Sequence, residues 1–396
     1  MEQIKIHHFG PVKDLNVSIL PLTVFIGTQG CGKSTVSKVL TICRDMSWIL
    51  RLLKSEEDLM KPFAKFCIDE FFYGDTEIQY EFEGDLGHYV ITYTKGVFGI
   101  EVLEQTKEEF ATKVQQFLLH SNQALLSQLG VSDFNDPSVM EKYGKIINSN
   151  ARTILYVPAE RNLAGTLSTS LASMLAAQVP LYDALIEYMS VFEKAKNTQK
   201  DYDVPFLDAH FTIKDGKERI RIADGQDGSE RLLPFQACSS GIQSVLPLVM
   251  VIDYALKLEC FDSFVIEEPE QNLFPTNQRE LLKFLMHRMD RLHNLVITTH
   301  SPYILSCLNV TLLAYRIINE FDDGYEHLKE VYDGVYLSDE LISVYSLDPE
   351  SDSYCKSLID EKTHLIGINS LDSVSDVIGD EYDRLYHLYL KLKRAK

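Results

Sequence analysis

Residues 22–34 read Leu22-Thr-Val-Phe-Ile26-Gly27-Thr-Gln-Gly30-Cys31-Gly32-Lys33-Ser34. An apolar run of strand length leads into a loop spaced GxxxxGK[ST], and helix-forming residues follow. The glycines let backbone N–H groups turn inward around phosphate oxygens. A helix beginning at the loop adds the positive end of its dipole. Lys33 is positioned by this spacing to reach the outer phosphates, and the Ser34 hydroxyl to ligate Mg²⁺; Thr35 follows in the same turn. The stretch therefore predicts an α/β fold built on a parallel sheet, with Gly27, Gly30, Gly32, Lys33, Ser34 and Thr35 binding a nucleotide.

Three further segments bear on the same chemistry. Phe264-Val-Ile-Glu267-Glu268-Pro269 is a buried-strand pattern ending in two acids. The first acid suits the Mg²⁺ shell and the second suits polarising a water. On its own such a strand end would more often carry two solvated acids; the phosphate loop favours the functional reading. Cys238-Ser239-Ser240-Gly241-Ile242-Gln243 opens a helix, so Ser239 and the N–H groups near Gly241 can meet an anion. Leu295-Val-Ile-Thr-Thr-His300-Ser301-Pro302 delivers a histidine to the C-terminal end of another apolar strand, where α/β folds place ligands. A lone histidine is usually a structural hydrogen-bonder; it is the ordered set that argues for more.

Outward from these motifs, residues 3–26 read as two short strands around Gly10-Pro11 and a third apolar one. Residues 77–103 alternate with glycines at the turns, as an antiparallel meander does. Thr106 and Glu109 form a capping box ahead of a stripe of Phe110, Val114, Phe117 and Leu118, with Gly130 as the stop. A second helical stretch over about 166–196, broken at Pro180, carries Leu181, Leu185, Tyr188 and Phe192 on one face. Both stripes are expected to face the core. Residues 204–235 read as a hairpin with turns at Asp215-Gly216 and Asp224-Gly225. From 239 to 310 helices and apolar strands alternate. The remainder is acidic and ends in an amphipathic helix over about 371–394, with Leu371, Val374, Ile378, Tyr382, Leu385, Tyr389 and Leu392 at helical spacing. The expected divisions are 1–104, an N-terminal lobe; 105–200, a helical insertion; 201–310, a C-terminal lobe; and 311–396, an α-rich accessory or docking region.

Composition limits the alternatives. The formal charge of −20 over 396 residues disfavours a surface that coats nucleic acid, since phosphate contacts need clustered Lys and Arg. Lys214/Lys217/Arg219/Arg221 and Lys391/Lys393/Arg394/Lys396 are the densest basic groups. They read as a solvated hairpin edge and as cations at a helix C-terminus. Seven cysteines stand singly, with no CxxC pair, so no zinc ribbon or disulfide framework is expected. With no export signal in MEQIKIHHFG and no apolar run of membrane length, a reducing cytoplasmic location and no membrane partner are expected.

The four segments, taken in chain order, resemble the fingerprints of ABC-type ATPases. Cys238–Gln243 is similar to that family's signature LSxGxQ, with Cys238 in place of Leu. Glu270-Gln-Asn-Leu273-Phe-Pro275 is similar to its D-loop. The wording "IEEPE…LFP" and "TTHSPY" resembles the soluble RecF/SMC/OLD-like branch. The resemblance implies an ABC-ATPase head: a P-loop parallel sheet with an antiparallel β subdomain, a helical insertion and an α-rich tail. It further implies ATP and Mg²⁺ as ligands, Glu267 with Ser34 at the metal, and Glu268 and His300 as catalytic residues. Ser239 and Gly241 would bind the γ-phosphate held by a second copy. Two departures stand out. Glu267 occupies the usual Asp position, and the gap from Ser34 to Ser239 is too short for a coiled-coil arm. OLD nucleases carry a Toprim domain after the histidine; residues 301–396 lack its Glu-then-DxD pattern, so no nuclease is expected here. Tyr156-Val-Pro158-Ala159-Glu160-Arg161 resembles a PAER segment of this branch. Arg161 is open between a role near nucleotide or the dimer seam and a structural salt bridge. No Q-loop is assigned by spacing.

Four functions compete. A stand-alone switch ATPase would dimerise head-to-tail around ATP–Mg²⁺, or form a higher homo-oligomer. It would control a separately encoded nuclease or toxin, as in the ATPase subunits of the anti-phage systems PARIS and Septu. A RecF-like ATPase would clamp DNA. A scaffold would bind ATP without turnover. A transporter ATPase fits least, because the wording of the motifs differs.

Overall fold

The computed structural model describes residues 1–121, 154–167, 181–214, 216–224, 229–258, 261, 263–367 and 380–387. Its centre is a six-stranded sheet in the order β15-β14-β3-β13-β12-β7. The strands are β3 (Leu22–Gly27), β7 (Ile154–Val157), β12 (Ser263–Glu267), β13 (Asn294–Thr299), β14 (Ile342–Leu347) and β15 (Cys355–Ser357). All pairings are parallel except β14 with β15.

Covering both faces of a parallel sheet demands apolar residues in both directions. Leu22, Val24, Leu155, Val157, Phe264, Ile266, Leu295 and Ile297 point into one core, and Phe25, Ile154, Tyr156, Val265 and Val296 into the other. The first core holds helices Asp183–Thr198, Ser240–Leu258, Pro275–Met286 and Pro302–Glu320. The second holds helix Lys33–Cys43 and a five-stranded antiparallel sheet, β2-β1-β4-β5-β6. Its strands are β1 (Glu2–Phe9), β2 (Val12–Ser18), β4 (Phe72–Gly84), β5 (Gly87–Thr94) and β6 (Val97–Leu103). The expected fold class, a P-loop parallel sheet with an antiparallel β subdomain, is the one observed.

Local expectations can be compared element by element. The capping box forms: Thr106 N–H donates to Glu109 Oε2 at 2.9 Å, and Glu109 N–H to Thr106 Oγ1 at 3.2 Å. Phe110, Val114 and Leu118 are buried on one face, as are Leu185, Tyr188 and Phe192 on the later helix. Residues 209–214, 217–224 and 229–233 belong to a four-stranded antiparallel sheet completed by 201–204. Its basic residue Arg221 pairs with Glu230 at 3.1 Å, as a solvated edge would. Gly130, Pro180, Asp215, Gly225, the segment 371–379 and the terminal basic cluster lie outside the described residues. In the part of the last helix that is described, Tyr382, Leu385 and Tyr386 are exposed.

Two expectations are revised by the sheet. The stretch taken as a helical insertion supplies the edge strand β7. The stretch taken as an accessory tail supplies β14 and β15, with β14 hydrogen-bonded directly to β3. The reason is geometric: β3 needs a partner on each side, and Ile342-Ser-Val344-Tyr-Ser-Leu347 alternates well enough to fill the gap. Among the described residues, no helix is long and apolar enough to cross a membrane.

Candidate active site

Sheet register brings the chemistry-bearing loops to one edge. Glu267 lies level with Thr298, Thr299 with Ile26, and Leu347 with Gly27. The loops that leave these positions therefore emerge side by side at the C-terminal edge, the usual ligand edge of a parallel sheet.

The Gly-rich loop has the required backbone. Gly27, Gly30 and Gly32 have φ of 154°, 76° and 100°. A Cβ at Gly27 would stand 2.3 Å from the Leu347 carbonyl oxygen, and one at Gly32 2.6 Å from the Tyr354 hydroxyl. Glycine is thus needed at both for packing as well as conformation. Lys33 is 5% exposed and folds over the loop, donating to the carbonyls of Gly27 at 3.0 Å and Thr28 at 2.9 Å. Burial pulls its ammonium below the ordinary lysine range; the neighbouring Cys31, Glu268 and Glu267 offset part of this. Ser34 is exposed at the start of the helix, and Thr35 is buried beside it.

Glu267, at the end of β12, is buried against this helix: Ser37 Oγ lies 3.4 Å from its Oε1 and also donates to the Ser34 carbonyl at 3.0 Å. Ser37 was not singled out in the sequence, although its place one turn after Ser34 is the signal. A hydroxyl and a carboxylate at this point are hard oxygen donors. Mg²⁺ commonly takes one or two carboxylates, with phosphate and water completing the shell. Ser34 and Glu267 thus fit that ion chemically.

Glu268 turns away in a left-handed conformation, φ 42°. Its Oε1 stands 3.3 Å from His300 Nε2, and both side chains are about one-third exposed. The hydrogen bond from His300 holds the Glu268 carboxyl below the ordinary glutamate range, helped by Lys33 and Arg161 and opposed by partial burial. The structure thus brings Glu268 and His300 together as an ionised acid and its partner.

Arg161 is fully buried, and among the described residues no carboxylate stands within ion-pair distance, so the salt-bridge alternative is not the one observed. It donates instead to the carbonyl oxygens of Glu267 at 2.7 Å, Glu268 at 2.6 Å, Pro269 at 3.1 Å and Pro158 at 3.4 Å. Burial lowers its pKa. Backbone acceptors leave no trace in a sequence, which is why this role was not visible.

Ser239 is exposed, and its Oγ accepts from Ile242 N–H at 3.4 Å, capping helix 240–258. Gln243 donates back to the Cys238 carbonyl at 2.9 Å. Gly241 packs on the D-loop: an added Cβ would lie 3.0 Å from the Asn272 carbonyl oxygen. Among the described residues, no bond joins Ser239 to the Gly-rich loop of its own chain.

Residues 22–306 match the family described as "AAA domain, putative AbiEii toxin, Type IV TA system". The chain belongs to this family of AAA-domain ATPases. Among curated proteins it is similar to an OLD nuclease of Thermus scotoductus, 22% identical over 335 residues, covering 76% of this chain. The chain spans about three-fifths of that relative's length, 59%. Similar solved structures include the SMC head domain of Thermotoga maritima, with TM-score 0.38 and 10% identity over 77% of this chain and 90% of that one. Another is the Smc head with an extended coiled coil bound to the C-terminal domain of ScpA, from Pyrococcus furiosus, with TM-score 0.41 and 10% identity over 96% of this chain and all of that one.

Proposed function

We propose that this chain is a switch ATPase: it binds ATP–Mg²⁺ and hydrolyses it between two copies joined head-to-tail. The observation that carries the reading is the Glu268–His300 pair, one-third exposed at 3.3 Å on the same sheet edge as Lys33. An ionised carboxylate there can accept a proton from water as it attacks the γ-phosphate, while the histidine orients it. ATP binding would draw Lys33 off its loop carbonyls and onto phosphate oxygens. Gly27, Gly30 and Gly32 cradle the phosphates, Ser34 and Glu267 hold Mg²⁺, and Thr35 supports the turn. Mg²⁺ would neutralise charge on the phosphates. Exposed Ser239, beside half-buried Gly241 and with no bond to the Gly-rich loop among the described residues, favours a γ-phosphate presented by the second copy.

The consequence of closure is proposed to be control of a separately encoded effector, a nuclease or a toxin, in anti-phage defence and in the cytoplasm. The family's description as a toxin of a toxin–antitoxin system supports that setting, and so does the nuclease relative, whose length this chain only partly spans. The acidic balance of −20 speaks against a DNA clamp as the primary role.

The test is ATP binding and phosphate release by the purified chain, with Lys33→Ala as control. Turnover is expected in the wild type, and binding is expected to fall at least about tenfold in the variant, with thermal unfolding little changed, since losing the two carbonyl bonds of Lys33 is offset by relief of its buried charge. ATP binding by Lys33→Ala within twofold of wild type would remove the reading. Binding without release by the wild type would favour the non-hydrolysing scaffold.

A further inference from the structure

The D-loop and the histidine-bearing end of β13 are fastened to each other by a closed ring of buried hydrogen bonds. Glu270 Oε1 accepts from Thr299 Oγ1 at 2.5 Å and from the His300 N–H at 3.1 Å. Thr299 Oγ1 accepts from the Ser301 N–H at 2.9 Å, and Ser301 Oγ donates to Gln278 Oε1 at 2.6 Å. Gln278 Nε2 donates to the Leu273 carbonyl at 3.0 Å, and Leu273 N–H closes the ring on the Glu270 carbonyl at 3.0 Å. Glu270, Thr299, Ser301 and Gln278 are each at most 8% exposed.

Two features distinguish this ring from ordinary loop anchoring. Apolar side chains could pack the same space without the penalty of a buried carboxyl, one of whose oxygens, Oε2, finds no hydrogen-bond partner among the described residues. The ring also ends on two functional groups. One is the backbone of His300, whose imidazole meets Glu268. The other is the stretch Glu270–Leu273, whose Asn272 carbonyl backs Gly241. The ring resists opening in a low-dielectric interior, because breaking one of its bonds strands the buried groups beside it.

We propose that Glu270 is a positioning residue: through Thr299 and the His300 N–H it locks the histidine to the D-loop, so that displacement of the D-loop by a second copy sets where His300 stands relative to Glu268. This rests on the ATPase reading above. Glu270 acts through His300, accepting a hydrogen bond from its N–H. The ring makes the D-loop and the histidine one mechanical unit, and hydrolysis then depends on how the partner seats that unit.

The experiment compares Thr299→Val, Glu270→Ala and Glu270→Gln in the full chain. It reads kcat and KM for ATP, thermal unfolding, and amide exchange over residues 299–301 without nucleotide. Thr299→Val keeps shape and loses the hydroxyl at the centre of the ring. It is expected to lower kcat about tenfold or more with KM within about twofold and unfolding nearly unchanged. Glu270→Gln keeps a carbonyl acceptor for both donors and is expected to retain most of the turnover that Glu270→Ala loses. If Thr299→Val and Glu270→Ala both keep kcat within twofold of wild type, the proposal is overturned. It is equally overturned if Thr299→Val lowers stability and raises KM in step with its loss of kcat, which marks a merely structural ring. Should the wild type itself fail to hydrolyse ATP, the functional reading fails separately. The ring is then judged by exchange alone: Glu270→Ala must speed exchange at 299–301 at least about tenfold, and unchanged exchange sinks it.

Discussion

The guanidinium of Arg161 donates to the carbonyl oxygen of Glu268 at 2.6 Å, and this bond holds a strained residue in place. Glu268 adopts φ 42°, a conformation that costs a non-glycine residue about 1–3 kcal/mol. Its N–H is tied to the Thr298 carbonyl at 2.8 Å, while Arg161 grips the carbonyls before, at and after the turn. Lysine offers one ammonium where the guanidinium offers a planar fork. Arg161→Lys is therefore expected to strand buried carbonyls and cost about 3 kcal/mol or more in denaturant unfolding. A loss under about 1 kcal/mol would show that Arg161 does not hold the turn.

The same strain sets stability against chemistry at Glu268. Glycine tolerates φ 42° freely, so Glu268→Gly is expected to hold stability level or raise it by up to about 1 kcal/mol while turnover is lost. Glu268→Gln should leave ATP binding intact, cut turnover at least about 100-fold, and accumulate an ATP-bound dimer visible by size. The sign of the pH effect follows from the lowered carboxyl. The stability this group contributes is fully present above the ordinary value of 4.5 and is lost as pH falls through the lowered one. Glu268 is thus ionised throughout neutral pH, and no titration of this carboxyl should appear in turnover between about pH 6 and 8. Recovery of Glu268→Gln activity at higher pH, or turnover within tenfold of wild type, would assign the base elsewhere.

What was legible in the sequence was what is contiguous. Gly27–Ser34, Phe264–Pro269 and Leu295–His300 each carry strand, turn and chemistry within a few residues, so the elements and their common sheet edge could be read directly. What was not legible depends on bonds to backbone or on distant pairing. Arg161 acts on carbonyls, which any residues at 267–269 would supply. Glu270 was visible as a letter of the D-loop, but its bond to the His300 N–H needs the fold to bring strand and loop together. Ile342–Leu347 carried a strand signal in its alternation and its β-branched residues, yet its place beside β3 required a pairing across more than three hundred residues.

Assembly between two copies has its own test. Lys33→Ala removes the nucleotide cradle, and Ser239→Arg removes the opposing surface while leaving ATP binding by the single chain. Each should be inactive alone. In a mixture, heterodimers contain one site with both defects and one with neither, so turnover is expected to reappear above either variant's background. Normal hydrolysis by Ser239→Arg alone, with no gain on mixing, would mean that Ser239 does not face a partner's nucleotide.

The β14–β15 hairpin brings the C-terminal part of the chain onto the Gly-rich loop. The Tyr354 hydroxyl donates to the Cys31 carbonyl, Lys13 donates to the Pro349 carbonyl, and β14 pairs with β3 up to Gly27. Tyr354 is 5% exposed, and burial pushes its hydroxyl above the ordinary tyrosine range, so at neutral pH it is a neutral donor. The bond restrains a loop whose N–H groups must be aimed before phosphate arrives, and such preorganisation lowers the cost of binding. Tyr354→Phe keeps the ring and deletes that restraint. One neutral hydrogen bond contributes about 1 kcal/mol, so ATP affinity is expected to weaken roughly three- to tenfold. Unfolding should move by no more than about the same energy, because the ring still fills its place. Gly32→Ala, which drives a methyl against the same hydroxyl at φ 100°, should be the more severe variant. Titration calorimetry with a non-hydrolysed ATP analogue reads both. Wild-type affinity in Tyr354→Phe would show that the hairpin packs beside the loop without holding it.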